Sequence, residues 1–545
     1  LILRRLVFTA AVCALAAPAP AQVAHDHKHG AEELGSVHFP ITCSDQARPA
    51  FDRGLALLHS FGYEDARGSF QQAAAADPAC GIAQWGVAMT YYHPIWAPPN
   101  AQEYAAGQTA AEAGARAGAR SDRERRYIEA IGAYYARVEG RDPRARAMAY
   151  RAAMEQLARD FPDDPEAKIF LALALLATAP PGDRTLAQQK QAADILNGLL
   201  ASHPKHPGIQ HYTIHAFDYP SLATLALPAA RAYAKTAPSS PHALHMPSHI
   251  FTRLGLWDEC IASNLDSAAA GKRVAAKSHP GAASFDALHA MDYLAYAYLQ
   301  QGRNQDAKKV AAEVGQSVKF DEPNFAAAYA LVAVPARYAL ERRDWRAAAE
   351  LTPPTAEIPW QQFTYVKGVT GFANAVGAAR AGDAARAQQA VAALSAMEAE
   401  LARQPPAGPY DWAGQVGSMR LAAAGWAAFA EGKADEAVRL LTEAAEKEEA
   451  VGKHPVTPGA ILPAREMLGD LLVELKRPAD ALAAYQRSLK EAPKRFNSVA
   501  GAARAADAAG QRTVAREYYK ELMALCGPTC TRPEARTAQT YLSQR

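Results

Sequence analysis

Apolar and small residues recur along this chain with a fixed spacing. Met467–Pro493 reads MLGDLLVELKRPADALAAYQRSLKEAP, and Leu421–Ala445 reads LAAAGWAAFAEGKADEAVRLLTEAA. Each has a glycine (Gly469, Gly425) where two helices must approach, and an alanine twelve residues later (Ala481, Ala437). A larger residue follows four further on (Tyr485, Leu441), and where the unit is complete a proline closes it. This pattern predicts a helix–turn–helix unit of about 34 residues. The register continues through Gly54, Ala66, Phe70 and Pro78, through Gly302 and Ala307, through Gly382 and Ala387, and through Gly510, Ala515 and Tyr519. Degenerate units lie at Phe325–Leu351 and Asp164–Pro204, and the run RQPPAGPYDW (403–412) predicts a break.

These positions resemble the tetratricopeptide repeat, which implies an all-α, right-handed superhelical solenoid of helix–turn–helix pairs. The chain also resembles exported bacterial repeat proteins carrying a HALHMPSHIF-type motif, a likeness that implies location and fold but no chemistry. The expected organisation is a signal peptide (1–21), a polar histidine-containing tail (22–44) and an N-terminal array (45–402). The break (403–412), a C-terminal array (413–529) and a tail (530–545) follow.

In such a solenoid the first helix of each unit lines the concave groove through its second, fifth, ninth and twelfth positions. Aligned on Gly255 and Cys260, His242, His245 and His249 take the second, fifth and ninth of these. His211, His215 and Asp218 take the fifth, ninth and twelfth in the preceding unit. His289, Asp292 and Tyr296 take the second, fifth and ninth in a following unit, and Arg337 of VPAR matches the position of His249 in MPSH. His203, His206 and His279 sit beside prolines at helix ends and receive no role. His59 joins the cluster if the superhelix closes on itself, and His93 and Trp96 stand before a turn where aromatic side chains seal a solenoid end.

Composition narrows the function. The 58 basic and 56 acidic residues leave a net charge of +2, with no electrostatic footprint for nucleic acid or an anionic membrane. Arg4 and Arg5, the apolar run Leu6–Ala17 and the small residues Ala19-Pro20-Ala21 read as a secretory signal, so the protein is expected in the periplasm or outside the cell. In that compartment Cys43 with Cys80 and Cys526 with Cys530 read as disulfides, and Cys260 as a buried free thiol.

Two readings of the histidine-lined groove follow. In one, an exported scaffold binds a protein, peptide or small anionic ligand, with Asp218, Asp292, Tyr296, Arg337 and His59 among its contacts. In the other, His211, His215, His242, His245, His249 and His289 hold a transition metal: zinc, copper or iron. No nucleophile elbow, phosphate-binding glycine loop, dinucleotide fingerprint or HExxH run is present, and the sequence names no catalytic residue.

Overall fold

The repeat glycines mark where helices touch. In the computed structural model, a Cβ added at Gly469 would meet the Tyr485 ring at 2.8 Å, and one at Gly425 would meet Leu441 at the same distance. The small-then-large pattern is therefore the packing of a first helix on its own second helix. The described residues are 32–95, 98–137, 142–180, 182–404, 410–526 and 530–544. The expected signal segment, the HDHKHG run and Trp96 lie outside them. Among the described residues the structure is helical, apart from turns and one isolated β-bridge between Ala283 and Phe320. Consecutive helices pack on each other along the chain, giving an all-α solenoid of helix–turn–helix pairs. None of the described helices is long and apolar enough to cross a membrane.

Residues Glu33–Arg545 form one compact unit, with two hydrophobic cores inside it. One runs from Leu34 to Tyr212 and the other from Ala193 to Ala538. They meet at the helix Pro207–Phe217, which gives Ile209 and Tyr212 to the first and Ile214, Ala216 and Phe217 to the second. That seam carries His211 and His215.

Three expected boundaries look different in the structure. Glu33–Ser44 is packed rather than a free tail, because Leu34, Phe39 and Ile41 are buried and Ser36 N–H donates to the Lys205 carbonyl. The Cys43–Cys80 disulfide ties this segment to the first hairpins. At the other end, residues 530–545 contain the helix Pro533–Ser543, held by buried Ala538 and by Tyr541 against Tyr519. Cys526 and Cys530 are bonded just before it. Across 403–412 the core is continuous, since the helix Trp412–Ala430 packs on Ala384–Leu401.

Local signals set the helices that carry the histidines. Ser240 caps Pro241–His245 by accepting from Ala243 N–H, and Ser284 caps Phe285–Gln300 in the same way. Pro247 lacks the N–H that would continue the first of these, so a second helix, Pro247–Leu254, begins there. Asp164, followed by Pro165, caps Pro165–Ala177 and sets Glu166 in its first turn. Helix Phe325–Leu340, by contrast, continues through Pro335.

Candidate metal centre

Six histidines from four helices converge as two triads. His211 and His215, one turn apart on Pro207–Phe217, meet His242. His245 meets His249 and His289, the last from Phe285–Gln300. Within each triad one ring nitrogen per residue lies within 4.8 Å of the other two. In the first, the Nε2 atoms of His215 and His242 each stand 3.0 Å from His211 Nε2. In the second, His245 Nε2 is 3.0 Å from His249 Nε2, and the His289 ring centroid is 4.1 Å from that of His245. The triads adjoin, with ring centroids 6.2 Å apart for His215 and His249 and 6.4 Å for His242 and His245.

The outer nitrogens show where the protons are. His211 Nδ1 lies 2.6 Å from the His59 carbonyl oxygen, which can only accept. His245 Nδ1 lies 2.7 Å from Asn264 Oδ1, and Asn264 Nδ2 donates to the Cys260 carbonyl, which orients the amide. His249 Nδ1 lies 3.1 Å from Asp218 Oδ2. All three rings therefore carry their proton on Nδ1 and turn a bare Nε2 lone pair inward. Burial pushes His211 down to about 3 and His215, His242, His245 and His289 well below the ordinary imidazole value, each helped by neighbouring rings. Burial also lowers His249, against the Asp218 carboxylate. At neutral pH no proton stands between His245 Nε2 and His249 Nε2, and His211 Nε2 faces His215 and His242 without a proton of its own. Two lone pairs 3.0 Å apart repel; a cation bound to both turns the repulsion into attraction. Nitrogens bound at 2.0–2.1 Å to a tetrahedral ion stand roughly 3.3 Å apart, close to the spacing found.

Around the rings stands a second layer of contacts of the kind that orients metal-bound imidazoles. Asp218 also accepts from Arg253 Nε at 2.8 Å and Lys453 Nζ at 2.7 Å. Burial would raise its carboxyl, but Lys453, Arg253 and His249 outweigh that and hold it ionised. Burial in turn brings Lys453 down to about 8, with Asp218 opposing. The Tyr293 hydroxyl lies 3.3 Å from each nitrogen of His249. Burial and the Asp218 charge keep it protonated.

The expected groove is covered at this point. His211, His245 and His249 expose 0%, 1% and 2% of their surface, and only His215 is partly exposed. Two distant segments close over them. Phe61, held at φ 55° in the turn after Arg48–His59, sets its ring 4.4 Å from His211 and 5.6 Å from His242. The loop from Gly452 to Pro463 brings Lys453 to Asp218 and packs His454 against Phe325 and Trp412. His215, Asp218, Arg253, Tyr296 and Lys453 border a cavity of about 1280 Å³ on that side.

The other expected contact residues are engaged within the chain. Arg337, fully buried, pairs with Asp292 at 3.2 Å and donates to the carbonyls of Gly459 and Ala460, each at 2.7 Å. The loop thus fills the groove position read as ligand-facing. Tyr296 accepts from Arg495, which also pairs with Glu341 and Glu466. The His59 ring turns away from the triads, with Nε2 2.9 Å from Glu166, and reaches them only through its carbonyl. Glu166 also meets His206 Nε2 at 3.0 Å, forming a third buried cluster. The role refused to His206 is thereby corrected: its helix-end position aims it at Glu166. Among the described residues the rings of His203 and His279 bond to the serines beside them, and that of His279 approaches Glu64 at 3.7 Å.

Sequence reasoning missed Asn264, Phe61, Lys453, Tyr293 and Glu166. Tyr293, one turn after His289, was the only one with a readable signal.

No family model and no curated protein matches the chain. Solved structures of low similarity include Naa15/Naa10 bound to HypK-THB, at 11% identity and a TM-score of 0.25, covering 91% of this chain and 92% of that one. The human IFIT1 dimer with m7Gppp-AAAA gives 12% and 0.37, covering 82% and 90%. Yeast Tom70 gives 12% and 0.33, covering 91% and 95%. At this level the likenesses carry no functional information.

Proposed function

We propose that this protein binds transition-metal ions inside a helical solenoid, one at each histidine triad. The observation that carries the reading is the 3.0 Å approach of His245 Nε2 to His249 Nε2, while Asn264 and Asp218 hold both Nδ1 protons outward. Among the described residues no other histidine, cysteine or carboxylate joins either triad. Copper, zinc and iron all suit imidazole donors. The N-terminal signal pattern adds that the protein works after export, where it meets such ions.

Elemental analysis of protein purified without an affinity tag, then incubated with zinc, copper or iron, tests the proposal. About two ions per chain are expected, falling to about one when His245 and His249 are both replaced by alanine. Protein that stays metal-free with all three ions refutes it.

The cavity favours a second reading, in which a peptide or small ligand occupies the concave side. Its wall carries Tyr219, Tyr329, Tyr365, Tyr410 and Trp412, and aromatic surface of this kind holds extended ligands. A partner that binds metal-free protein and is lost on Trp412→Ala is the expected outcome there.

A further inference from the structure

We propose that the two sites are unequal: Tyr293 completes the His245–His249–His289 site as a phenolate ligand, and the His211–His215–His242 site keeps its fourth position for a small anion entering from the cavity. The inference rests on the metal-binding reading above.

Position comes first. His289 and Tyr293 are i and i+4 on Phe285–Gln300, so they share a helix face as His245 and His249 do across the Pro247 junction. The Tyr293 hydroxyl is 3.3 Å from both nitrogens of His249, over the face of that ring, so a turn of the phenol about its own side chain is what would bring it to an ion on Nε2. Its ring stands nearly perpendicular to those of His245 and His289, with centroids 4.7 and 5.6 Å away. On metal binding the Oη–metal bond replaces the O–H bond, and the proton is released to the buffer.

The first triad differs on both counts. Its nearest aromatic neighbour is the Phe61 ring, which has no donor atom. His215 borders the cavity, whereas His245, His249 and His289 do not. Metal sites that use four protein ligands are closed, and those that bind exogenous ligands keep one position open.

Charge points the same way. Six neutral imidazoles supply none, and Asp218 is already shared between Arg253 and Lys453. Buried cations need anionic partners. Phenolate supplies one at the closed site, and a small anion such as hydroxide, or azide as its probe, supplies one at the open site.

Full-length protein loaded with Cu(II) tests this. Wild type should hold two coppers and show a phenolate-to-copper charge-transfer band in the visible. Tyr293→Phe, which removes only a hydroxyl, should keep two coppers and lose that band. Azide should bind once per chain. It should still bind His249→Gln, which retains the first site, but not His211→Gln, which retains the second together with the phenolate band. Two coppers with no such band, a band unchanged in Tyr293→Phe, or azide bound by His211→Gln as tightly as by wild type would each overturn the inference while leaving the metal reading intact. Failure of wild type to take up copper overturns this inference, and failure with zinc and iron as well overturns both.

Discussion

The triads and the His59–Glu166–His206 cluster are built from similar parts. Both are buried, both gather three donors within 4.8 Å, and by ligand spacing alone both would pass as metal sites. Their protons separate them. Glu166 offers an acceptor oxygen to each ring, at 2.9 and 3.0 Å, so each Nε2–H has a place to go, and the Tyr212 hydroxyl donates to His59 Nδ1. Within this cluster His206 Nδ1 alone has no partner among the described residues. Burial would raise the Glu166 carboxyl, but the two rings more than offset it, and the group stays ionised. That cluster is nearly complete as a hydrogen-bonded unit. In the triads the acceptors lie outside, on His59, Asn264 and Asp218, so the Nε2 lone pairs of His245 and His249 face each other inside and that of His211 faces His215 and His242. Proximity of ligand atoms therefore says less about a metal than the direction in which their protons point.

Breaking each cluster in turn tests the contrast. Replacing His211 or His245 by alanine should cost one ion per chain, the largest effect expected. His59→Ala or His206→Ala should leave two, counted by elemental analysis on the same preparation. An ion lost from the His206 variant would collapse the distinction. Next come the outward acceptors. Asn264→Ala and Asp218→Asn leave every triad ring in place but free its orientation, which typically weakens metal binding about 10–100-fold. Competition against a chelator of known affinity would measure it, and unchanged affinity in both variants would mean that the rings are oriented by packing alone.

The legible parts of this protein were those set by short-range spacing. The Gly469–Tyr485 contact repeats because a helix packs on its immediate successor, and the pairs His211/His215 and His245/His249 stand one helical turn apart. Parts that come from afar left no mark. Phe61 reaches His211 across 150 residues, and Lys453 reaches Asp218 across 235. Arg337 held the position its register assigned, yet the carbonyls of Gly459 and Ala460 had taken the place of a ligand. Leu34, Phe39 and Ile41 are too few to announce a packed segment, so 33–44 read as a tail. Export, too, was read only from residues outside the described structure.

A smaller effect separates the clusters through stability. Glu166→Gln keeps the shape of the side chain but offers one acceptor oxygen to two N–H groups. One buried donor is then unmet, at a cost of about 1–3 kcal/mol in denaturant unfolding. The metal count should remain two. A variant as stable as wild type would mean that water or a rearranged ring satisfies the stranded donor.

The finest distinction is in the pH dependence of the metal-free protein. His211 is held neutral in the fold, titrating at about 3 there and near 6.5 once unfolded. Between those values the unfolded chain binds more protons, so stability falls as pH falls, beginning near 6.5. Glu166 has the opposite charge but the same sign of effect, because its carboxyl is held ionised and its contribution is lost only below the unfolded value near 4.5. Burial lowers His59 too, so it adds to the loss that begins near 6.5. Between pH 6.5 and 5 the slope should therefore come from buried rings and not from Glu166. His211→Gln should reduce it by at most about 1.4 kcal/mol per pH unit, the share of one proton. Denaturant midpoints for both proteins across that window measure the difference. Equal slopes would mean that His211 accepts a proton in the folded state, and that its Nε2 faces its neighbours as a donor rather than as the bare lone pair a metal ion would use.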